Sequence, residues 1–161
     1  MKSDCYIVDS SSLITLNRRN PMDVFPSIWE KMAKLAHKER LVAPMEVLEE
    51  INQGDDQLLD WAKKCKSMFK KQTEKQIEIV KKILHKYPSL LDESSDYCAD
   101  PWIVALAIEL KDQSRLISIK QIVVTEERLR GDRVRIPFIC QKFGIEAVDI
   151  VGLFRNEEWK F

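Results

Sequence analysis

The sequence predicts a single α/β domain with three layers, in which a central parallel sheet of four or five strands lies between helices. Short apolar runs that lack apolar–polar alternation, such as Cys5–Val8, are separated along the chain by longer amphipathic segments. This order is typical of parallel strands that are covered on both faces and joined by right-handed crossovers. A chain of 161 residues suits one domain, which buries roughly 70% of its unfolded surface. We expect it to span residues 1–161, with a helical insert at residues 54–88 and a C-terminal tail at residues 151–161.

The composition is that of an ordinary soluble protein. The chain has 26 basic and 26 acidic residues, so its net charge gives no general attraction to nucleic acid. It shows neither a signal peptide nor a run of roughly 20 apolar residues, which predicts a cytoplasmic location and no membrane partner. The four cysteines lack C-x-x-C spacing, and the two histidines stand beside lysines. Free thiols are therefore expected, rather than a zinc site or disulfides.

The first strand ends at a carboxylate. Asp9 follows the apolar run directly, and Ser10, Ser11 and Ser12 offer N-caps for a short helix over residues 11–18. In open α/β sheets, ligands bind where strands pass into helices. An isolated aspartate in this position is equally typical of a simple helix cap.

Two further strands of the predicted sheet are also followed by acidic residues. A helix at residues 24–38 leads to a strand at residues 40–43, and Pro44 then starts a helix that contains Glu46, Glu49 and Glu50. The strand at residues 121–124 ends at Thr125, Glu126 and Glu127, and a last strand is expected at residues 147–150. Asp100 precedes Pro101 at the start of an apolar helix, which makes it the predicted N-cap. It follows a polar loop that contains Asp96.

Acidic side chains therefore gather at one edge of the predicted sheet, because all parallel strands end on the same side. Crowded carboxylates raise one another's pKa unless a cation neutralises them, and an all-oxygen site selects Mg²⁺ or Mn²⁺. One such ion, or two about 3.5–4 Å apart, can activate water for attack on a phosphodiester. The chain contains neither a phosphate-binding G-x-x-x-x-G-K-[ST] loop nor a G-x-G-x-x-G turn, which argues against nucleotide-binding functions.

Four segments resemble the successive motifs of PIN domains, and together they run over nearly the whole chain. They are residues 8–11, 47–51, 100–107 and 123–127. The insert and the tail are most similar to an uncharacterised bacterial PIN-like subfamily. The resemblance implies a PIN-like α/β/α fold and a metal-dependent ribonuclease that hydrolyses single-stranded RNA. Small bacterial PIN domains are commonly VapC-type toxins, so it also implies an antitoxin protein as a partner; a homodimer is a further candidate assembly.

The resemblance also assigns roles to individual residues. Metal ligands would be Asp9, Glu50 and Asp100, and Glu127 would be a fourth acid where PIN domains commonly have T-x-D. Helix geometry leaves Glu46 and Glu50 on one face, and the family pattern favours Glu50. Supporting residues would be Ser11, Thr125, Glu46 and Asp96.

Two basic segments are candidate RNA contacts. One is the loop after Glu127, with Arg128, Arg130, Arg133 and Arg135. The other is residues 63–71, which have the pattern of a helix with a basic outer side that includes Lys63, Lys66 and Lys70. Such a run is more often a solvated face than a phosphate-binding one.

Two other functions compete with the nuclease. One is a non-catalytic PIN-like interaction module bound to a protein partner, in which the acids persist without activity. The other is a phosphatase or phospho-receiver, which also places an aspartate after its first strand. A haloacid-dehalogenase-type phosphatase would need Asp-x-Asp where this chain has Asp9, Ser10 and Ser11, so that option is the weaker one.

Overall fold

The computed structural model describes residues 3–54, 56–91, 100–114, 118–129 and 135–161. Within these ranges one sheet of five parallel strands has the order β3-β2-β1-β4-β5. Helices flank this sheet, so the predicted α/β class is confirmed. The strands are β1 (Cys5–Val8), β2 (Leu41–Pro44), β3 (Phe69–Lys70), β4 (Gln121–Val124) and β5 (Glu146–Val148).

Eight α-helices lie within the described residues. They are α1 (Ser10–Arg19), α2 (Pro26–His37), α3 (Met45–Asn52), α4 (Asp56–Lys64), α5 (Glu74–Lys86), α6 (Asp100–Gln113), α7 (Ile136–Lys142) and α8 (Ile150–Asn156), with short 3₁₀ turns at Lys66–Met68 and Pro88–Leu91. The apolar helix α6 contacts β1, β2 and β4 and also packs on α5 and α7. Its central residues Ile103, Val104 and Ala105 are fully buried, which explains why this segment lacks a polar face.

The strand order creates a topological switch point beside β1. From β1 the chain adds β2 and β3 on one side, and it later adds β4 and β5 on the other. Tyr6 of β1 pairs with Leu41 on one side and with Ile122 on the other, and all three are essentially inaccessible to solvent. In open α/β sheets the crevice at such a point, outside the carboxyl ends of the strands, is where ligands bind.

The insert is not helical throughout, contrary to the sequence prediction. Helix α4 ends at Lys64, a 3₁₀ turn follows, and residues 69–70 form β3, which pairs with β2. Met68 and Phe69 are both buried, and two adjacent buried positions suit this change of structure better than one face of a helix. The predicted continuous helix over residues 63–71 is therefore wrong.

The C-terminal segment also differs from its prediction. The last strand is shorter than residues 147–150, and the expected tail begins as α8. Asp149 causes the change, because its carboxylate accepts a hydrogen bond from the Gly152 N–H at 2.8 Å and caps the helix. A Cβ on Gly152 would lie 2.7 Å from the Val148 Cβ, so this position requires glycine for the close approach of α8 to β5.

A further difference concerns the start of α2. The sequence predicts a helix over residues 24–38, but the helix begins at Pro26, as proline at the first helical turn favours. Val24 and Phe25 are consequently exposed, at 63% and 36%, and Phe25 does not belong to the core.

The free thiols agree with the sequence prediction where the structure describes them. Cys65 and Cys140 are buried, Cys5 is partly buried, and all three are free; Cys98 lies outside the described residues. Burial raises the pKa of the Cys140 thiol to about 12, with a further contribution from the charge of Glu127. Cys140 is therefore a core residue rather than a nucleophile.

A partly buried ion pair between Arg40, just before β2, and Glu157 holds the end of α8 against the sheet. Arg40 donates from Nη1 and Nη2 to the two carboxylate oxygens of Glu157, each at 2.8 Å, and the Tyr6 hydroxyl donates to Glu157 Oε2 at 2.6 Å. The Arg40 Nε also donates to the Asp4 carbonyl at 3.0 Å. Burial and the bond to Glu157 raise the pKa of Tyr6, so this hydroxyl stays protonated and acts as a donor.

We expect Glu157→Gln to lower the free energy of unfolding by about 2 kcal/mol, because charge-assisted hydrogen bonds to Arg40 become neutral ones. Urea unfolding followed by circular dichroism measures this difference. The matched control is Glu78→Gln, which removes the same charge from an exposed position on α5 and should change stability by no more than about 0.5 kcal/mol. Equal midpoints for the two variants would show that the ion pair adds nothing to stability.

Candidate active site

Asp9 lies at the switch point with its carboxylate buried. Its backbone N–H donates to the Val124 carbonyl at 2.8 Å, which extends the pairing of β1 with β4. Only 3% of the residue is exposed. The hydroxyls of Ser11 and Thr125 both donate to Oδ2, at 2.7 and 3.0 Å. Because a buried charge needs polar partners, these hydroxyls are what allow a carboxylate at this position.

Burial raises the pKa of the Asp9 carboxyl. The hydroxyls of Ser11 and Thr125, together with the backbone N–H groups of Ser10 and Ser11, lower it in part. No lysine or arginine among the described residues takes part in this compensation. A carboxylate stabilised by hydroxyl and amide groups alone gains further from a cation.

Three consecutive serines at the start of α1 each donate to a different carboxylate. Ser10 donates to Glu50 at 2.6 Å, Ser11 to Asp9 at 2.7 Å, and Ser12 to Glu126 at 2.6 Å. These acids come from α3, from the end of β1 and from the end of β4. The serine cluster, defined as Ser10–Ser12, therefore ties together acids from three parts of the chain.

The predicted capping role of these serines is wrong. Helix α1 begins at Ser10 with Asp9 as its N-cap residue, and no side-chain capping bond is made there. The hydroxyls of Ser10 and Ser12 instead donate to other elements, 40 and 114 positions away along the chain, and that of Ser11 donates to Asp9. One helix start needs one capping hydroxyl, so the surplus of hydroxyls was the signal in the sequence for a further role.

Glu46 and Glu50 share a face of α3 but have different partners. The Gln72 amide donates to Glu46 Oε1 at 2.5 Å, which directs Glu46 toward the insert. The other oxygen, Glu46 Oε2, is buried and has no hydrogen-bond partner among the described residues. Glu50 bonds to Ser10, the chain neighbour of Asp9. The structure thus brings Glu50 to the serine cluster and Glu46 to the edge of the sheet beside the insert.

Glu126 was not among the predicted site residues, yet it contacts the serine cluster directly. Besides the Ser12 bond, its Oε2 accepts the Ile150 N–H at 3.1 Å, and its own N–H donates to Ser11 Oγ at 3.1 Å. Glu127 turns elsewhere: its Oε2 accepts the Ile136 N–H at 3.0 Å, and Oε1 lies 3.9 Å from Arg135 Nη1. Glu127 therefore anchors the start of α7.

Asp100 and Asp96 complete the predicted acids. Asp100 is the first residue of α6 and is partly buried; Asp96 lies outside the described residues. Within the described ranges, no group of three His, Cys, Asp or Glu side chains is arranged so that it could hold a metal ion. The donors nearest the switch point, from Asp9 and Glu50, are all oxygen, which fits Mg²⁺ or Mn²⁺ in chemistry. Two hydroxyls fix Asp9 Oδ2, in the way that outer hydrogen-bond partners orient a metal ligand.

The predicted RNA contacts are dispersed. Arg128 is exposed and, with residues 125–127 and Asp149, lines a cavity of about 330 Å³ beside the switch point. Arg130 and Arg133 lie outside the described residues. Lys63 and Lys66 are exposed. Lys70 Nζ lies 3.8 Å from Glu39 Oε1, in the turn before β2, and so does not extend toward the carboxyl edge of the sheet.

The fold and the site define a class: a parallel α/β protein with an acidic, hydroxyl-supported switch point. The chain belongs to the family described as "Domain of unknown function (DUF4411)", which matches residues 6–161. Comparisons with curated proteins and with solved structures returned no match. Among the described helices, none has the length and apolar character needed to cross a membrane.

Proposed function

We propose that this protein is a metal-dependent endoribonuclease of the PIN type that hydrolyses single-stranded RNA, and that it acts as the toxin of a toxin–antitoxin pair. The observation that carries the proposal is the serine cluster, which links Asp9, Glu50 and Glu126 at the switch point of the sheet. A fold that needed only a helix cap would not require three buried or partly buried carboxylates there. Placing several carboxylates close together and partly buried costs free energy, and a bound cation would offset that cost.

Each residue then has a role. Asp9 and Glu50 would hold Mg²⁺ or Mn²⁺, with Asp100 as the third ligand. When bound, the ion would supply a water of lowered pKa and stabilise charge on the phosphodiester. Ser11 and Thr125 orient Asp9 by bonding one of its oxygens. Glu127 acts as a positioning residue for α7 through the Ile136 N–H, in place of the fourth ligand role that the sequence suggested.

The cavity beside the acids offers one contact for a phosphate, Arg128, while a metal ion would have to offset the charge of its three carboxylates. It holds about 330 Å³ and is lined by Glu126, Glu127 and Asp149 together with the exposed Arg128. A single-stranded chain passing this cavity could place one phosphate near the acids while Arg128 contacts the next. Arginine suits this contact because its guanidinium can bond two phosphate oxygens at once.

A second candidate function, the non-catalytic interaction module, is favoured by one observation. Asp9 is only 3% exposed, and its Oδ2 already accepts two hydroxyl bonds. Such a carboxylate can also be a purely structural bridge between β1 and β4. In that case the protein would act through a protein partner and without a metal.

Cleavage by the purified protein separates the two. We expect Mn²⁺ or Mg²⁺ to support the cutting of a labelled single-stranded RNA, while the same RNA in a duplex is spared and EDTA stops the reaction. Gel analysis of products with internal ends identifies an endonuclease. RNA that stays intact with both ions, under conditions in which the protein is folded, would reject the nuclease and favour the interaction module.

A further inference from the structure

A basic pocket lies at the opposite edge of the sheet from the acids. It holds about 150 Å³ and is lined by Lys31, Lys34, Leu35, Lys38, Arg40, Glu157 and Trp159. Arg40 immediately precedes β2, so the pocket adjoins the amino ends of the strands. The four residues of β2 separate the two edges by roughly 13 Å. The volume has room for several water molecules, and so for a phosphate group with part of its hydration.

The pocket has a positive charge that the described residues do not neutralise by ion pairs. The ion pairs formed among the described residues do not include Lys31, Lys34 or Lys38. The lining carboxylate, Glu157, is already bonded at both oxygens by Arg40 and at one by Tyr6. Glu157 therefore offsets the charge of Arg40 and leaves that of the three lysines.

An aromatic surface forms one wall. Glu158 adopts a positive φ of 59°, and the Trp159 N–H then donates back to the Phe154 carbonyl at 3.0 Å, which folds the last residues onto α8. The rings of Trp159 and Phe161 both lie 5.5 Å from Lys31 Nζ, and Trp159 is only partly buried. The Trp159 ring also packs against Phe154, with 5.6 Å between the ring centroids. The pocket thus combines ammonium groups with a partly buried indole.

The helix dipole alone does not account for the lysines of this pocket. Lysines near the end of a helix are favoured by the helix dipole, and Lys34 and Lys38 stand at the end of α2. That effect explains neither the cavity nor the aromatic wall. From Lys31 to Lys38 the chain advances by roughly 10 Å of helix, a spacing that can follow a phosphate backbone. Proteins that bind single-stranded nucleic acids commonly combine such a row of basic side chains with an aromatic side chain that contacts a base.

We propose that this basic pocket binds the phosphodiester backbone of single-stranded RNA, as an anchor separate from the acidic edge. The choice of RNA rests on the proposed function, but binding can be measured without cleavage. Lys34 and Lys38 contact phosphates, and the exposed part of the Trp159 ring contacts a base.

The test measures the affinity of a labelled single-stranded RNA of mixed sequence by fluorescence anisotropy, in EDTA so that the RNA survives, over a series of salt concentrations. The variant is Lys34→Gln with Lys38→Gln. The matched control is Lys81→Gln with Lys82→Gln, which removes two exposed lysines from α5. Removing one phosphate contact should flatten the plot of log affinity against log salt by about 0.7, so the slope should fall by roughly 1.4 in the variant and stay unchanged in the control.

Equal affinities and slopes in the variant and the control would overturn the proposal. A glutamate-rich peptide of matched charge is titrated in parallel. If the variant loses affinity for the peptide but keeps its affinity for RNA, the pocket takes carboxylates and the proposal also fails. The two proposals can fail separately. If the wild type does not cleave RNA in Mn²⁺ but the variant still shows a reduced salt slope for RNA binding, the anchor is upheld and the nuclease is rejected.

Discussion

Asp9→Asn should abolish metal-dependent RNA cleavage, with a loss of at least about 100-fold, since changes in groups that merely support a metal ligand already cost 10- to 100-fold. The substitution keeps the size of the side chain and an oxygen that can accept from Ser11 and Thr125. It removes the charge that would bind the ion. Cleavage of labelled single-stranded RNA in Mn²⁺ gives the rate, and Asp23→Asn, at an exposed position, is the matched control.

Thermal unfolding distinguishes a ligand from a structural bridge. A buried carboxylate costs free energy that a neutral amide of the same size avoids, whereas the amide NH₂ group cannot accept from the backbone N–H groups of Ser10 and Ser11. Without metal, the Asp9→Asn variant should therefore lie within about 2 kcal/mol of the wild type. Mn²⁺ at ten times its Kd should stabilise the wild type by about 1.4 kcal/mol and leave the variant unchanged. A wild type whose Tm does not change with Mn²⁺ would identify Asp9 as a bridge.

The core of the fold was predictable because its signals are local. β1, β2 and β4 are runs of four residues that are buried almost throughout, and apolar runs of this length indicate covered parallel strands whatever lies around them. Their parallel direction follows from the helices between them. The edge strands carry weaker signals: β3 has two residues and β5 has three. Tertiary contacts decide such short segments, which is why the sequence predicts helix where β3 forms.

The position of Asp9 after the first strand was predictable, but the hydrogen bonds between the serines and the acids were not. Asp9 could be found from its place after an apolar run. The partner of each serine could not, because Ser10 and Glu50 are 40 positions apart and Ser12 and Glu126 are 114 apart. Helix geometry also placed Glu46 and Glu50 on one face without stating which neighbour each would meet. That information comes from the packing of α1 and of the insert against α3.

The two glutamates of α3 should differ sharply in their effect on metal binding. Glu50→Gln should weaken Mn²⁺ binding by at least about 10-fold, and Glu46→Gln should weaken it much less. The reason is their surroundings: Glu50 bonds to Ser10 beside Asp9, whereas Glu46 bonds to Gln72 of the insert. Both variants lose one charge from the same helix face, so each is the control for the other. Calorimetric titration with Mn²⁺ measures the two affinities.

The surroundings of Glu46 favour the opposite result, in which Glu46 matters more than Glu50 for Mn²⁺ binding. Glu46 Oε2 is buried without a hydrogen-bond partner in the described part of the chain, and an unsatisfied buried oxygen costs about 1–3 kcal/mol unless something binds it. If the metal ion binds Glu46 Oε2, Glu46→Gln will abolish Mn²⁺ binding and Glu50→Gln will not. The metal would then lie toward the insert, on the side of the sheet where β3 joins β2, and Ser10 would hold Glu50 for structural reasons alone.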